Sequence, residues 1–262
     1  ASDVYKRQLL TPYAEMPGSA IRDIHRDKEG TLRIVAAHHG VYRCEKTTQG
    51  MRFMPDRLFS ALEKQGKHLF QDSEDCFWYA TDSSLYRITP SGTIMPFPQT
   101  SGGRNALPRD ADIRDITENQ QDIYIGTSEG LFVYSLTDNT SFHLQADYKN
   151  RHGLNDGSIE HLYVDREQGL WISTFYGGIN YLSPTSGNFQ RHEDINSLIN
   201  GHVISSISED GQGNVWMGIE DNGVCLWNRR TNTLTNYDKN TEGAFRPSAD
   251  NAVSYTHLTL PT

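Results

Sequence analysis

The stretch Glu209–Asn228 reads EDGQGNVWMGIEDNGVCLWN and contains a turn, a strand-like run with a tryptophan, a second turn and a second strand-like run. Nearly the same phrase occurs as DREQGLWISTFYGGINYL at Asp165–Leu182 and as SEDCFWYATDSSLYRI at Ser73–Ile88. A phrase that recurs at a fixed interval indicates a repeat architecture, so the interval decides the fold.

The repeat is anchored by the aromatic residue of its middle strand. Trp78, Tyr124, Trp171 and Trp216 lie 46, 47 and 45 residues apart. Arg33 stands 45 residues before Trp78 and marks a first, degenerate copy. A closing strand starts six or seven residues after each anchor, at Gly40, Ser84, Gly130, Gly178 and Gly223. The five copies therefore agree in length and in internal spacing.

An apolar run with two-residue periodicity precedes each turn, which is typical of strands. These runs start at Ile21, Lys67, Ile113, Ile159 and Val203. A weaker fourth run follows in some copies, as in NFQRHE from Asn188 and TLTNYD from Thr233. Four strands in a unit of this length are typical of propeller blades. The sequence predicts an all-β chain, a β-propeller of four-stranded antiparallel blades with about five blades present as part of a larger ring. The blade motifs are placed around residues 19–45, 65–90, 112–136, 158–183 and 202–228.

The recurring tryptophans and glycines have a structural interpretation. The apolar faces of a blade are covered only by its neighbours, so Trp171 and Trp216 are predicted to pack where blade meets blade. The glycines supply positive φ or close approach at the tight connections. The three cysteines, Cys44, Cys76 and Cys225, show no metal-binding spacing and are predicted to be small buried residues.

Composition limits the classes of partner. The formal net charge is −9, from 24 Lys and Arg against 33 Asp and Glu, and no basic cluster stands out. Nucleic acid is therefore not expected as a partner of this region, since its binding begins with positive charge. No apolar run reaches the roughly 18 residues that a membrane helix needs.

The two ends do not fit the repeat. SDVYKRQ (Ser2–Gln8) and VSYTHLTLPT (Val253–Thr262) both resemble translated sequencing-adapter sequence. Residues 1–8 and 253–262 are therefore predicted to be non-native tails, which leaves residues 9–252 as propeller repeats. On this interpretation the chain is a fragment of a longer protein.

The phrases at Asp165–Leu182 and Glu209–Trp227 resemble two-component regulator propeller repeats, and Gln121–Tyr134 matches with Tyr124 in place of the tryptophan. The resemblance covers about residues 9 to 252. It implies the periplasmic sensor region of a bacterial hybrid two-component histidine kinase, many of which sense oligosaccharides. It also implies a homodimer of the full-length sensor, which contacts the membrane only through segments outside this chain.

No catalytic, metal or cofactor site is predicted. The chain shows no nucleotide-binding loop, no HExxH or zinc-finger spacing among its ten histidines, and no Ser/His/Asp set that can be assembled from sequence. DGQGN (Asp210–Asn214) has a faint likeness to a calcium loop, but the bidentate acid expected downstream is missing. Any kinase activity belongs to segments outside this chain.

If the three clear strands are the first, second and third of each blade, two sets of loops emerge on one face. The set between second and third strands offers His38, His39, Asp82, Ser128, Glu129, Tyr176, Glu220, Asp221 and Asn222. The set before the inner strands includes Asn155, Asp156, Asn200 and His202. Amides, carboxylates, imidazoles and an aromatic ring suit a hydroxyl-rich ligand such as an oligosaccharide.

Three functions remain open from the sequence. The leading interpretation is a non-catalytic domain that senses an oligosaccharide or another small ligand. The alternatives are a propeller enzyme, either a lyase or a hydrolase, and a protein-binding propeller scaffold.

Overall fold

The computed structural model describes residues 20–47, 50–82, 84–97, 107–108, 111–147, 149–150, 152–185, 189–192, 195–197 and 202–241. This part of the chain forms five four-stranded sheets, with a 3-10 turn at Arg57–Phe59 between the first and the second. The predicted tails, residues 1–8 and 253–262, lie outside the described residues.

Each sheet is one blade, and its strands follow chain order from inside to outside. Blade 1 contains β1 (Ile21–Arg26), β2 (Leu32–Ala36), β3 (Gly40–Thr47) and β4 (Gly50–Pro55). Blade 2 contains β5 (Gly66–Gln71), β6 (Phe77–Thr81), β7 (Leu85–Ile88) and β8 (Ile94–Pro96). Blade 3 contains β9 (Ile113–Asn119), β10 (Asp122–Thr127), β11 (Gly130–Ser135) and β12 (Ser141–Leu144). Blade 4 contains β13 (Ile159–Val164), β14 (Leu170–Thr174), β15 (Gly178–Leu182) and β16 (Phe189–Arg191). Blade 5 contains β17 (Ile204–Glu209), β18 (Val215–Ile219), β19 (Gly223–Asn228) and β20 (Thr233–Tyr237).

The blades are arranged as a β-propeller, as the sequence predicted. All strand pairs within a blade are antiparallel. Neighbouring blades meet through their first strands, because β1 packs on β5, β5 on β9, β9 on β13 and β13 on β17. The prediction of a fourth strand in only some copies was too cautious, since all five blades have one. The outer strands escaped notice because they face solvent, with Met51, Met95 and Phe142 exposed there, and so lack a regular apolar pattern.

In blades 2 and 4 the anchor tryptophan packs on the next blade, as predicted for Trp171. Trp78 is buried among Ile113, Ile116 and Ile123 of blade 3. Trp171 is buried in the same way against β17 and β18 of blade 5. Trp216 is half-buried, and its packing against a following blade stays a prediction. No described blade lies beyond blade 5 to cover it.

An aspartate six residues before the tryptophan holds each of these rings in place. The Oδ2 atom accepts a hydrogen bond from the indole Nε1, while Oδ1 accepts from backbone N–H groups of the turn between them. The three indole bonds are Asp72–Trp78 at 2.8 Å, Asp165–Trp171 at 2.9 Å and Asp210–Trp216 at 3.0 Å. Burial alone would raise the pKa of Asp210, but hydrogen bonds from Trp216 and Asn214 outweigh it and lower the pKa to about 2.

Blades 1 and 3 lack this aspartate–tryptophan pair and make other polar contacts at the same positions. In blade 1 the guanidinium of Arg33 takes the indole's place and forms an ion pair with Asp27. In blade 3 Asn119 takes the place of the aspartate, and its Nδ2 donates to the carbonyl of Gln168 in blade 4 at 2.9 Å. The motif is therefore a polar anchor that also links neighbouring blades.

Side chains also connect neighbouring blades at the turns between their first and second strands. In three junctions the residue before the motif aspartate, or before Asn119, accepts from a backbone N–H of the preceding blade. These bonds run from Lys28 to Gln71 at 2.9 Å, from Ser73 to Glu118 at 2.6 Å and from Arg166 to Glu209 at 3.1 Å. The turns on this side of the propeller therefore help to hold neighbouring blades together.

Cys44, Cys76 and Cys225 are all buried, as predicted, and none of them forms a disulfide bond. Burial raises the pKa of each thiol, in Cys225 to about 11. Among the described residues, no helix has the length and apolar character needed to cross a membrane.

Candidate functional site

The two predicted loop sets lie together on one face, opposite the motif turns. The turn between second and third strands donates a backbone N–H to a carbonyl in the segment that leads into the first strand. This bond is present in every blade: Ala37 to Ala20 at 2.9 Å, Asp82 to Gln65 at 3.3 Å, Ser128 to Asp112 at 3.3 Å, Phe175 to Ser158 at 2.8 Å and Glu220 to Val203 at 2.9 Å. We call this surface the loop face.

Four of the five turns end in a glycine with positive φ, which explains the fixed glycine of the repeat. The φ angles are 86° at Gly40, 132° at Gly130, 74° at Gly178 and 79° at Gly223. Side chains with a Cβ rarely adopt this conformation. The repeat therefore reserves one position of each turn for backbone geometry and leaves the preceding positions free to vary.

The variable positions contain most of the predicted ligand residues, and His202 lies in the segment before β17. His38, His39, Asp82, Glu129, Tyr176 and Asp221 are exposed, and Ser128, His202, Glu220 and Asn222 are partly exposed. Asn200 lies outside the described residues. Tyr176 is 79% exposed, and its ring meets that of Phe175 edge-on at a centroid distance of 4.5 Å.

A chain of charges runs along the inner edge of the loop face. Every first strand has a β-bulge close to this face, and the bulged residues are Arg22, Lys67, Arg114, Glu160 and Ser205. Bulges often occur near functional sites, because they redirect a side chain.

Three of the bulged side chains are joined by ion pairs. Lys67 Nζ lies 2.6 Å from Asp112 and 3.4 Å from Asp82, and Arg114 contacts both Asp112 and Glu160. Burial would raise the pKa of Asp112, but the hydrogen bonds and charges of Lys67 and Arg114 lower it. Charges along this edge are thus largely balanced within the protein, which suits an uncharged polar ligand.

The residue that follows each bulged residue alternates between aspartate and histidine in blades 1 to 4. The residues are Asp23, His68, Asp115, His161 and Ser206 in blades 1 to 5. Each aspartate caps a backbone N–H of the next blade, from Leu69 at 2.8 Å and from Leu162 at 2.7 Å.

The pair in blades 3 and 4 is an almost fully buried ion pair. His161 Nδ1 lies 2.6 Å from Asp115 Oδ2, and His161 also bonds to the backbone of Ile207 in blade 5. Burial would lower the pKa of His161, yet the carboxylate of Asp115 raises it. Burial would likewise raise the pKa of Asp115, and the charge of His161 lowers it instead. Both ring nitrogens of His161 are engaged within the fold, so this dyad stabilises three blades rather than offering a free base.

The sequence interpretation missed two sets of residues on or near this face. The bulged residues have no shared chemistry, so only strand register could identify them. The alternating Asp and His residues do share a repeat position, and aligning the copies at that position would have revealed them. Among the described residues, no group of three or more His, Cys, Asp or Glu side chains converges as metal ligands do.

Solved structures with the same fold include two extracellular domains from B. thetaiotaomicron. That of the hybrid two-component system BT3049 has a TM-score of 0.54 and 15% identity, over 90% of this chain and 37% of that one. That of the hybrid two-component system BT4673 has a TM-score of 0.50 and 21% identity, over 90% of this chain and 31% of that one. The GH74 enzyme of Niastella koreensis has a TM-score of 0.59 and 15% identity, over 84% of this chain and 37% of that one. The chain thus spans about a third of the length of these proteins.

No curated protein matches the sequence at a significant level. The fold and its two distinct faces define a β-propeller whose variable loops gather on one side. Residues 197–221 match the family named Two component regulator propeller. The matched stretch, which includes β17 and β18 of blade 5, is therefore similar to two-component regulator propeller repeats, as the sequence predicted.

Proposed function

We propose that the chain is the ligand-sensing propeller of a hybrid two-component signalling protein and that it binds an oligosaccharide on the loop face. The observation that carries this proposal is the backbone hydrogen bond that joins the turn of each of the five blades to the segment before that blade's first strand. That arrangement brings polar groups of five blades to one surface, together with the exposed ring of Tyr176. Aromatic rings stack on the apolar faces of sugars, while amides and carboxylates bind their hydroxyl groups.

The signalling part of the proposal rests on the family match and on the kind of protein that shares the fold. The repeat family is named for two-component regulators, and two proteins of the same fold are extracellular domains of such systems. We place the chain outside the cytoplasm, in the periplasm. We also place its histidine kinase, its membrane anchor and the contacts of a homodimer in segments beyond this chain.

A glycoside hydrolase is the second candidate, because the GH74 enzyme shares the fold. Such enzymes need two carboxyl groups that flank the scissile bond, one of them as general acid. The loop face does offer carboxylates, including Glu129, Glu220 and Asp221. Substrate turnover would distinguish an enzyme from a sensor.

Isothermal titration calorimetry against cellohexaose, xylohexaose and mannohexaose tests the proposal. Binding of one or more of these with a Kd of about 1 mM or tighter supports a sensor, provided that the sugar is recovered intact. Chromatography of the same samples after a long incubation checks for cleavage. Shortened products would assign the chain to hydrolases, and failure of all three sugars to bind would count against the proposal.

A further inference from the structure

Tyr176 combines high exposure with a fixed backbone, which is an unusual pairing. It is the most exposed large aromatic side chain of the described residues, at 79%. It sits in the turn between β14 and β15, where an unsupported loop would let the ring move. The structure instead shows two braces on this turn, both from the segment that leads into β13.

The first brace is the carboxylate of Asp156. Its Oδ2 atom accepts hydrogen bonds from the backbone N–H groups of Tyr176 at 2.7 Å and Gly177 at 3.2 Å. Its other oxygen accepts from Ser158 N–H at 3.2 Å. Asp156 is only 9% exposed, and a carboxylate is unfavourable in such a place unless hydrogen bonds satisfy it. Here three backbone donors do so, and two of them belong to the turn.

The second brace is the carboxamide of Asn155. Its Nδ2 donates to the carbonyl of Gly177, and its Oδ1 accepts from Nδ2 of the buried Asn180 at 2.6 Å. The close approach requires glycine at position 177. A Cβ there would lie 2.5 Å from Asn155 Oδ1 and 2.7 Å from Asp156 Cβ.

We infer that Asp156 is a positioning residue that holds the ring of Tyr176 outward as a platform for a sugar ring. This inference rests on the proposed function. A platform that is fixed before binding loses less conformational entropy when the ligand arrives. The sequence placed Asp156 among loop residues that could touch ligand, but the structure turns its carboxylate towards the backbone of the turn. Tyr176 then makes the contact, and Asp156 acts through it.

Amide hydrogen exchange of Asp156→Asn, read by mass spectrometry, tests the brace without any ligand. The substitution leaves one acceptor oxygen where two are used, so the side chain can no longer accept from both the turn and Ser158, and it removes the charge that strengthens these bonds. Exchange at these two amides should become at least tenfold faster, and Gly177→Ala should give the same result by steric displacement. Asp75→Asn makes the same chemical change on the opposite face and should leave these amides unchanged. Unchanged exchange in both test variants would overturn the inference.

Calorimetry with cellohexaose, xylohexaose and mannohexaose then separates positioning from direct contact. For a sugar that binds the wild type, Asp156→Asn should weaken binding at least tenfold. The double variant Asp156→Asn/Tyr176→Ala should bind no more weakly than Tyr176→Ala alone, because both changes remove the same platform. Additive losses, or full affinity in Asp156→Asn, would overturn the inference. If no sugar binds the wild type, the proposed function fails, and the exchange rates alone decide whether Asp156 holds the turn.

Discussion

The indole nitrogen of Trp171 lies 2.9 Å from Oδ2 of Asp165, six residues earlier in the chain. This bond joins the turn on one face of blade 4 to the ring that blade 5 covers. The same pairing recurs in blades 2 and 5, and an arginine substitutes for the indole in blade 1. The repeat is therefore defined as much by its aspartate as by its tryptophan.

Removing the buried ring should destabilise the fold strongly. Trp171→Ala is expected to lower the free energy of unfolding by about 3–5 kcal/mol, since it empties a large buried site. Trp216→Ala should have a smaller effect, about 1–2 kcal/mol, because that ring is half-buried. Tyr176→Ala should change stability by about 0.5 kcal/mol or less. Denaturant melts of the three variants measure these values, and equal losses for Trp171 and Tyr176 would show that the blade register is wrong.

The carboxylate of Asp165 should contribute independently of ring burial. Asp165→Asn keeps the size of the side chain but weakens the acceptor for Trp171 and removes the charge facing Arg229, 3.3 Å away. Hydrogen bonds to charged groups contribute about 1.5–3 kcal/mol, so a loss in that range is expected. Glu167→Gln alters an exposed partner of the same arginine and is a suitable control. Equal stability of Asp165→Asn and wild type would contradict this role for the aspartate.

The buried pair of Asp115 and His161 makes stability depend on pH. The pKa of His161 is raised in the fold, so its contribution is complete below the ordinary value of 6.5 and is lost as pH rises through the folded pKa. The pKa of Asp115 is lowered from 3.8, so its contribution is lost as pH falls through that lower value. The stability that this pair contributes should therefore be greatest between the ordinary pKa values of the two groups, 3.8 and 6.5, and should decrease above about pH 6.5.

Thermal or denaturant melts from pH 5 to pH 9 can detect this dependence. His161→Gln should remove most of the decrease above pH 6.5, even though the variant is less stable at every pH. His152→Gln changes an exposed histidine and should keep the wild-type profile. A profile for His161→Gln that parallels the wild type would exclude the ion pair as its source.

The half-buried face of blade 5 should promote self-association. Trp216 stacks with Tyr237 at a centroid distance of 6.1 Å on a face that, in blades 2 and 4, is covered by the next blade. If the ring is larger than five blades, the purified chain should associate through such faces. Trp216→Glu should then favour the monomer, whereas Phe142→Glu, on an exposed outer strand, should not. A compact wild-type monomer in solution scattering would contradict the larger ring.

The fold could be predicted from the sequence because the same physical demands recur in every blade. A ring such as Trp171 is needed where blades pack, and a positive-φ glycine such as Gly178 is needed in the turn seven residues later. Outer strands such as β8 require neither a packed ring nor a positive-φ glycine, so most of them were not recognised. The extent of burial of Trp216 could not be predicted from its own repeat, because burial also depends on a neighbouring blade.

The candidate site was predictable only in part. Strand order alone placed Tyr176 and Asp221 on one face, because alternate connections in an antiparallel blade emerge on the same side. The direction of an individual side chain was not predictable, since Asp156 binds its own turn whereas Tyr176 faces solvent. The bulges that direct Lys67 and Arg114 depend on pairing between strands, which no single run of residues specifies.

The central claim is that ligand binds the loop face, and a comparison of two triple variants by calorimetry tests it most directly. The loop-face variant replaces Tyr176, Glu220 and Asp221 with alanine, and the control replaces Lys28, Arg166 and Gln212 on the opposite face. With the sugar that binds wild-type protein, the loop-face variant should lose at least tenfold in affinity, about 1.4 kcal/mol, and the control should retain wild-type affinity. Full affinity in the loop-face variant with a loss in the control would place the ligand on the opposite face and contradict the account.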